Sequence, residues 1–345
     1  MKAAVYEGVG KVGVKEIDEP KLVSGSVIIK IDACAICGTD LKAYVHGNAR
    51  IRPPLVLGHE FVGTISDVGD GVSGLKAGDR VTMATTIPCG ECSACKRNLQ
   101  NLCDNRTSIG MVYDGAFAEY MLVPPLAVKQ GNVIPVPDNL SSEDGSIAEP
   151  LSCVINGQTI AGVGEGDVVV VVGAGPIGYL HVETAKAKGA KTVILVEYLK
   201  ERLEFAKNFK VDHTICSKEE DAVKKVAELT GGVGADVVIV AAPVPEAQVQ
   251  SIDLVAKGGR ISFFASIPKD NPFATLPTNV LHYKEIRIFG ASDSRIEHVK
   301  AAIDMLASGK FNAKALITHT FPLSDFMEAL EVTKRKEGLK VVIKP

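Results

Sequence analysis

The sequence of 345 residues contains no tryptophan, and aromatic side chains make up only 5% of it. This scarcity argues against a pocket built for long or aromatic apolar ligands. Long runs of one charge are also absent, and the net charge is only −3. The charge pattern therefore favours neither a nucleic-acid partner nor a membrane-surface partner.

Targeting and spanning segments are missing from the sequence as well. The N-terminus, MKAAVYEGVG, lacks the apolar core of a signal peptide, and no apolar run is long enough to cross a bilayer. We therefore expect a cytoplasmic protein with no membrane partner. Thiols stay reduced in that compartment, so the eight cysteines are expected to bind metal or pack in the interior instead of forming disulfides.

Four of the cysteines lie in one short loop with the spacing C-x2-C-x2-C-x7-C: Cys89, Cys92, Cys95 and Cys103. Four thiolates from such a loop can close a tetrahedron around one zinc ion. An iron–sulfur cluster is less well supported, because no Cys-Pro follows the fourth cysteine. A closed shell leaves no position for substrate, so this zinc is predicted to be structural. A catalytic metal would have to lie elsewhere.

The pattern of the chain changes after about the first 150 residues. Before that point, short β-branched runs such as residues 27–31, 62–68 and 80–83 alternate with Gly/Asp turns, which predicts a β-rich domain. After it, apolar strand patterns alternate with helical patterns, starting with residues 167–172 and 176–188. This alternation predicts a parallel sheet with helices on both faces.

Five further strands of the parallel sheet are predicted at residues 192–197, 212–215, 235–240, 259–264 and 286–289. Helical patterns are found at residues 201–208, 219–229, 247–255 and 297–308. Six strands complete one doubly wound sheet. We therefore expect the extended segment at the end of the chain to return to the first domain.

A glycine-rich turn follows the first of these strands and opens a helix. Its members are Gly173, Gly175, Pro176, Ile177 and Gly178. The first two glycines permit a tight turn and the close approach of a pyrophosphate, and the third lets the helix pack on the strand. The free N–H groups at the helix N-terminus would bind the phosphates. The strand–turn–helix context makes this a prediction of dinucleotide binding.

The cofactor is predicted to be NAD, because Glu197 ends the next strand, nineteen residues after Gly178. A carboxylate there would accept hydrogen bonds from the adenosine ribose and repel a 2′-phosphate. The choice between NAD and NADP stays partly open because of Arg202. This side chain could lie against the adenosine, or it could allow some binding of NADP.

Three short segments carry further metal-ligand residue types. They are Cys37-Gly-Thr39-Asp40, Gly58-His59-Glu60-x2-Gly63 and Glu149-Pro150. Each of them alone has an ordinary structural explanation, such as a partnered carboxylate. Together with the dinucleotide turn and the four-cysteine loop, they resemble the motifs of zinc-dependent medium-chain dehydrogenases/reductases. The resemblance covers essentially the whole chain.

The resemblance is closest to the polyol (sorbitol or iditol) dehydrogenase branch. This is suggested by Glu149-Pro150-Leu151-Ser152 and by Leu316-Ile-Thr-His319-x-Phe321. It implies a GroES-like β-rich catalytic domain at residues 1–153 and 291–345. The Rossmann NAD-binding domain would occupy residues 154–290.

The resemblance implies that Cys37 and His59 bind a catalytic zinc. The third protein ligand would be Glu60 or Glu149, and the sequence does not decide between them. Both glutamates are therefore candidates for the catalytic set, together with the hydroxyl of Thr39.

The family places Thr39 against the substrate oxygen, at the start of a proton relay. The histidine that usually continues the relay is replaced here by Lys42. The proton could leave through water, through the cofactor ribose or through His46.

Three more residues fall where family members approach the nicotinamide: Ala265, Ser266 and Ala291. The neighbouring Ser292-Asp293-Ser294 is polar, but it lacks the Arg-Tyr pair that polyol dehydrogenases tend to carry near this point. The pocket is expected to suit a hydroxylated substrate.

The activity expected from this resemblance is hydride transfer from a secondary alcohol to NAD, giving the ketone. The substrate would be a small polyol, sugar alcohol, cyclitol or sugar acid. Two zinc ions per chain and a homotetramer are implied. The alternatives are L-threonine 3-dehydrogenase, another zinc alcohol dehydrogenase, or a non-catalytic relative without zinc, against which Cys37, His59 and the two glutamates argue.

Overall fold

The computed structural model describes residues 1–345 and divides them into two compact units. Unit 1 contains Met1–Ser152, Asp293–Gly309 and Leu316–Pro345, and unit 2 contains Cys153–Ser292 and Lys310–Ala315. None of the helices combines the length and the apolar composition that crossing a bilayer requires.

The strands are, in chain order, β1 (Lys2–Gly8), β2 (Lys11–Glu16), β3 (Val27–Ala35), β4 (Leu55–Val56), β5 (Glu60–Val68), β6 (Arg80–Met83), β7 (Thr86–Ile87), β8 (Thr107–Ser108), β9 (Tyr120–Val123), β10 (Val133–Pro135), β11 (Val168–Val172), β12 (Thr192–Glu197), β13 (His213–Cys216), β14 (Ala235–Val240), β15 (Val255–Phe263), β16 (Arg287–Gly290), β17 (Ile317–Pro322) and β18 (Lys340–Lys344).

The α-helices are, in chain order, α1 (Gly38–His46), α2 (Ser93–Lys96), α3 (Pro125–Lys129), α4 (Ser142–Ser146), α5 (Ala148–Ile160), α6 (Pro176–Ala187), α7 (Lys200–Leu203), α8 (Ala222–Leu229), α9 (Pro245–Leu254), α10 (Thr278–Lys284), α11 (Ile296–Ala307), α12 (Ala313–Leu316) and α13 (Phe326–Arg335). Short 3-10 turns are found at Gln100–Leu102, Glu204–Asn208 and Leu323–Asp325.

Unit 1 is built around a seven-stranded sheet in the order β10-β6-β5-β3-β18-β17, with β9 also paired to β3. Smaller sheets, β2-β1-β4 and β7-β8, complete it. The central strand β3 is buried along most of its length. Val27, Ile29 and Ile31 pack in the main core, and Ala33 and Ala35 pack in a smaller cluster with Val342. β18, from the very end of the chain, lies antiparallel beside β3. This order brings residues that are distant in sequence to the end of β3.

Unit 2 contains six parallel strands in the order β13-β12-β11-β14-β15-β16. The five valines of β11 are almost entirely buried, because helices cover both faces of a parallel sheet. The chain reverses its direction of winding between β11 and β14. Ligands bind at such a switch point in open α/β sheets. The predicted α/β class with a doubly wound parallel sheet is confirmed.

Two predicted helices differ from the structure. The helix predicted at residues 201–208 is a single turn, α7, followed by the 3-10 turn Glu204–Asn208. The helix predicted from residue 219 begins at Ala222, because the Asp221 carboxylate accepts the backbone N–H groups of Val223 and Lys224 and caps it there.

Candidate functional site

Cys37 lies directly before α1 and is its N-cap residue. The backbone N–H of Cys37 donates a hydrogen bond of 2.9 Å to the buried carboxylate of Asp40, which fixes this turn. Thr39 is the second residue of α1 and is half buried. One short turn therefore holds both the thiol and the hydroxyl that the sequence singled out. Lys42 and His46, farther along α1, are exposed.

His59 and Glu60 enter the site at the start of β5. The preceding Gly58 has a φ of +96°, and a Cβ there would lie 2.9 Å from Phe117. Only glycine therefore fits this bend. Both side chains are buried, at 6% and 0% exposure. The ligand atoms of Cys37, His59 and Glu60 all lie within 4.8 Å of one another.

Lys340, which the sequence analysis did not single out, is the buried partner of Glu60. Its ammonium group forms an ion pair with Glu60 Oε2 and donates a 3.2 Å hydrogen bond to the carbonyl of Ile36. Although burial opposes it, the charge of Glu60 raises the pKa of Lys340. The sequence offered one sign that this lysine could be buried, namely its position directly before the apolar run Val341-Val342-Ile343.

Two buried atoms of this group have no hydrogen-bond partner: Glu60 Oε1 and His59 Nδ1. His59 Nδ1 is 3.6 Å from Asp40 Oδ1. Burial alone would lower the pKa of His59, but the charges of Asp40 and Cys37 raise it well above its usual value. Orphaned buried atoms of this kind are rare in proteins. A thiolate, an imidazole and a carboxylate that converge with one unsatisfied oxygen fit a zinc ion with three protein ligands.

Glu149, at the start of α5, is the other candidate ligand. It does not lie within 4.8 Å of all three members of the Cys37 group, but one of its oxygens is that close to an oxygen of Asp293. Desolvation raises the pKa of Glu149 to about 7; the Glu60 and Asp293 charges add to the rise, and His59 opposes it. The structure thus brings Glu60 together with Cys37, and Glu149 together with Asp293.

The four-cysteine loop is assembled as predicted from its spacing. The Sγ–Sγ distances include 3.5 Å for Cys103–Cys89, 3.6 Å for Cys92–Cys95 and 3.8 Å for Cys92–Cys103. Four sulfurs at Zn–S distances of about 2.3 Å in a tetrahedron would be about 3.8 Å apart. The four thiols therefore fit one zinc ion in a closed shell.

Backbone N–H groups add to this fit. The N–H groups of Glu91 and Cys92 donate hydrogen bonds to Cys89 Sγ, and these bonds lower the pKa of Cys89 to about 6. The opposite shift is found at Cys95, where burial raises the thiol pKa to about 12. A lowered thiol pKa favours the thiolate, which is the form that binds metal.

The glycine-rich turn of unit 2 has the geometry that a pyrophosphate requires. A Cβ on Gly178 would lie 1.8 Å from the carbonyl oxygen of Gly173, so the helix can pack against the turn only with glycine at that position. A Cβ on Gly175 would meet nothing within 4 Å, so this side of the turn is open. Pro176 and Ile177 form the first turn of α6. The helix N-terminus and the open turn together fit a dinucleotide phosphate.

Glu197 ends β12 beside this turn. Its carboxylate accepts the backbone N–H groups of Ala174 at 2.7 Å, Tyr198 at 2.8 Å and Leu199 at 3.0 Å. The nearby Arg202 is buried, and its Nε donates to the carbonyl of Ala174 at 3.2 Å. Both side chains that the sequence assigned to the adenosine end therefore bond to the backbone of the turn.

The residues predicted to approach the nicotinamide follow β15 and β16. The backbone N–H of Ala265 donates to the carbonyl of Val240, at the end of β14, at 3.0 Å. Ser266 is exposed and Ala291 is half buried. All three lie at the carboxyl ends of parallel strands, the edge at which ligands bind in such sheets.

Comparisons with known proteins match both parts of the chain. The model of the alcohol dehydrogenase GroES-like domain matches residues 23–138, and that of zinc-binding dehydrogenases matches residues 176–308. L-threonine 3-dehydrogenase from Pyrococcus furiosus is 37% identical, over 95% of this chain and 93% of the relative. Sorbitol dehydrogenase from Halalkalibacterium halodurans is 35% identical, over 100% of this chain and 99% of the relative.

A solved structure is also similar along the whole length. It is that of a chain assigned as a zinc-binding dehydrogenase from Sinorhizobium meliloti 1021, bound to NADP. Its TM-score is 0.93 at 31% identity, with 100% of this chain and 99% of that chain covered.

The chain belongs to the family of zinc-dependent medium-chain dehydrogenases/reductases. It is a zinc-dependent, NAD(P)-linked alcohol dehydrogenase with a GroES-like part and a Rossmann-type parallel sheet, so the predicted family and fold are confirmed. Sorbitol dehydrogenases among the relatives support the resemblance to the polyol branch. Threonine dehydrogenases occur at a similar identity, so likeness alone does not decide the substrate.

Proposed function

We propose that the protein oxidises a secondary alcohol group of a small polyhydroxylated compound to the ketone, with NAD as the hydride acceptor. The compound would be a polyol, sugar alcohol, cyclitol or sugar acid. The observation that carries this proposal is the convergence of Cys37, His59 and Glu60 around the unpartnered Glu60 Oε1. Sorbitol dehydrogenase relatives at 35% identity support a polyol as substrate.

The catalytic zinc would be held by Cys37, His59 and Glu60, with Glu149 as the alternative carboxylate. The second zinc of each chain would be held by the four-cysteine loop. When bound, the catalytic zinc supplies Lewis acidity, which lowers the pKa of an alcohol and polarises a ketone. Glu60 is favoured over Glu149 because its oxygen lies within 4.8 Å of the Cys37 and His59 ligand atoms.

The chain's own residues would place the substrate and move its proton. Thr39, in the same turn as Cys37, would accept a hydrogen bond from the reacting hydroxyl, and it would take up that proton only as it releases its own to the next acceptor of the relay. Lys42 and His46 are exposed, so the proton would reach solvent through water, the cofactor ribose or His46. The hydride would pass to the nicotinamide ring, whose chemistry belongs to the cofactor. Backbone groups at Ala265, Ser266 and Ala291 would orient that ring.

NAD would be favoured over NADP by the acidic end of β12. A 2′-phosphate beside the Glu197 carboxylate would meet a charge of the same sign. The charge of Arg202 would offset this repulsion only in part, since the Nε of this buried side chain is bonded to the Ala174 carbonyl. Gly173, Gly175 and the first turn of α6 would hold the pyrophosphate.

An NAD-linked activity screen of the zinc-loaded protein tests the proposal. Sugar alcohols, inositols and sugar acids would be offered beside L-threonine. We expect oxidation of at least one polyhydroxylated compound, and a loss of at least about a thousandfold in kcat/KM for Cys37→Ala. NAD affinity should be unchanged in that variant. Full activity of Cys37→Ala would contradict the catalytic zinc assignment.

L-Threonine oxidation is the second candidate. It is favoured by the 37% identity to the L-threonine 3-dehydrogenase of Pyrococcus furiosus. Efficient turnover of threonine with no turnover of any polyol would replace the first proposal with this one.

A further inference from the structure

Asp293 is an acidic residue that neither the metal group nor the nucleotide turn accounts for. Its Oδ2 accepts a hydrogen bond from the hydroxyl of Thr86. Its Oδ1 accepts a hydrogen bond of 2.7 Å from the backbone N–H of Ser294. The residue is half buried. Two donors, one from β7 and one from its own turn, hold the carboxylate in one orientation.

The turn that contains Asp293 is tied to the helix that carries Glu149. The hydroxyl of Ser294 is hydrogen bonded to that of Ser152 in α5 at 2.7 Å, and both serines are buried. Ser152 is three residues after Glu149. A carboxylate oxygen of Asp293 lies within 4.8 Å of one of Glu149. The arrangement therefore keeps Asp293 beside a residue whose electrostatic neighbours are His59 and Glu60.

The charges of this region are predominantly negative. Four acidic side chains, those of Asp40, Glu60, Glu149 and Asp293, lie in this region beside two buried basic ones, those of Lys340 and His59. Charges act strongly at short range in a protein interior, where the effective dielectric constant is low.

One atom of the neighbouring Cys37, His59 and Glu60 group fits a bound cation. Glu60 Oε1 is completely buried and has no hydrogen-bond partner, so a cation is expected there. An alcohol that binds beside that cation would also lie near the acidic side chains of this region.

We infer that Asp293 is a specificity-determining residue of the proposed polyol site. Its carboxylate accepts a hydrogen bond from a substrate hydroxyl other than the one that is oxidised. The same charge repels substrates that carry a phosphate or a carboxylate. The substrate class narrows to neutral polyols, sugar alcohols and cyclitols, and sugar acids are excluded. This inference rests on the proposed function.

The first test uses the unchanged, zinc-loaded protein. The NAD-linked kcat/KM would be measured for neutral sugar alcohols, for their terminal phosphate esters and for the matching sugar acids. We expect each neutral substrate that is turned over to exceed its anionic counterparts by at least about tenfold.

The second test removes the charge of Asp293 with Asp293→Asn and Asp293→Ser. We expect KM for the neutral substrate to rise about tenfold, with a smaller change in kcat, because a hydrogen bond to a charged acceptor is lost. The preference for neutral over anionic substrates should shrink by a similar factor. Zinc content and NAD affinity should not change. Asp304→Asn, at an exposed position of α11, is the matched control and should leave the preference intact.

The outcomes separate the two proposals. Equal turnover of neutral and anionic substrates by the unchanged protein overturns the specificity inference and leaves the polyol dehydrogenase assignment standing. An unaltered preference in folded Asp293→Asn or Asp293→Ser does the same. If neither variant folds, the substrate ranking of the unchanged protein decides. Oxidation of threonine alone overturns both proposals.

Discussion

At the scale of single residues, the decisive feature is the buried carboxylate of Glu60. One of its oxygens pairs with Lys340 and the other has no partner. Removing one partner of a buried ion pair costs several kcal/mol, because the other charge stays buried without it. The same residue is thus both a structural ion-pair partner and a metal-ligand candidate.

Lys340→Met should expose this double role. We expect a loss of about 3 kcal/mol in the free energy of unfolding, because Glu60 would remain buried without its ammonium partner. Denaturant unfolding of the metal-free protein measures it, because a zinc ion at Glu60 would act as a second counter-charge. Lys340→Arg should recover part of the loss.

The control for this change is Lys344→Met on the same strand. The Lys344 side chain is 52% exposed in its pair with Glu143, so its removal should cost less than about 1 kcal/mol. Equal losses of unfolding free energy in the Lys340→Met and Lys344→Met variants would show that the buried pair stabilises the fold no more than the exposed pair does.

At the scale of elements, two loops turn short sequence motifs into binding geometry. In the four-cysteine loop, the Sγ–Sγ distances of Cys92–Cys95, Cys92–Cys103 and Cys103–Cys89 are 3.5–3.8 Å. In the turn after β11, Gly178 packs against Gly173, and the backbone of Ala174 is hydrogen bonded to the side chains of Glu197 and Arg202. Both loops have their ligating groups close together in sequence, so local spacing is enough to predict them.

Cys95→Ala should remove one zinc ion per chain and lower the melting temperature by about 5 °C or more, since a structural zinc site contributes folding free energy directly. Metal analysis and calorimetry would measure the two effects. Cys216→Ala, a buried thiol of unit 2 outside the loop, should leave the zinc content unchanged. An unchanged melting temperature in a Cys95→Ala protein that lacks one zinc would exclude a structural role.

Glu197→Gln should shift the cofactor preference toward NADP. We expect the ratio of kcat/KM for NADP to that for NAD to rise about tenfold, because the repulsion of a 2′-phosphate is removed. Steady-state kinetics with both cofactors provide the ratio. Glu201→Gln is the matched control, since Glu201 is exposed in the adjacent α7. An unchanged ratio in Glu197→Gln would exclude Glu197 as the selecting residue.

At the scale of the whole molecule, the stability should depend on a buried histidine of unit 2. His181, in α6, is 0% exposed; its carbonyl accepts Gln158 Nε2 at 2.8 Å, and its Nε2 has no partner. Burial lowers the pKa of His181 to about 3. In the unfolded chain the His181 imidazole therefore takes up a proton near pH 6.5, whereas in the folded chain it stays neutral at that pH.

The stability supplied by neutral His181 should be complete above about pH 6.5 and should fall as the pH drops toward 3. We expect the unchanged protein to lose about 1.4 kcal/mol per pH unit below that point relative to His181→Met. Denaturant unfolding at pH 7, 6 and 5 measures the difference. His213→Met, which changes an exposed histidine of β13, should keep the original pH dependence. Parallel curves for the unchanged protein and His181→Met would contradict this prediction.

The sequence by itself determined the family, the fold class, the four-cysteine loop and the nucleotide turn. The loop and the turn depend on residues a few positions apart, for which spacing specifies geometry. The family and the fold class depend on the kind and order of motifs along the whole chain. The tertiary structure decided that Glu60 lies within 4.8 Å of Cys37 and His59, that Lys340 pairs with Glu60, and that Thr86 holds Asp293. These partners are separated by 280 and 207 positions. Local patterns carry no information about which distant side chains meet, because the order of strands in the sheet sets those contacts.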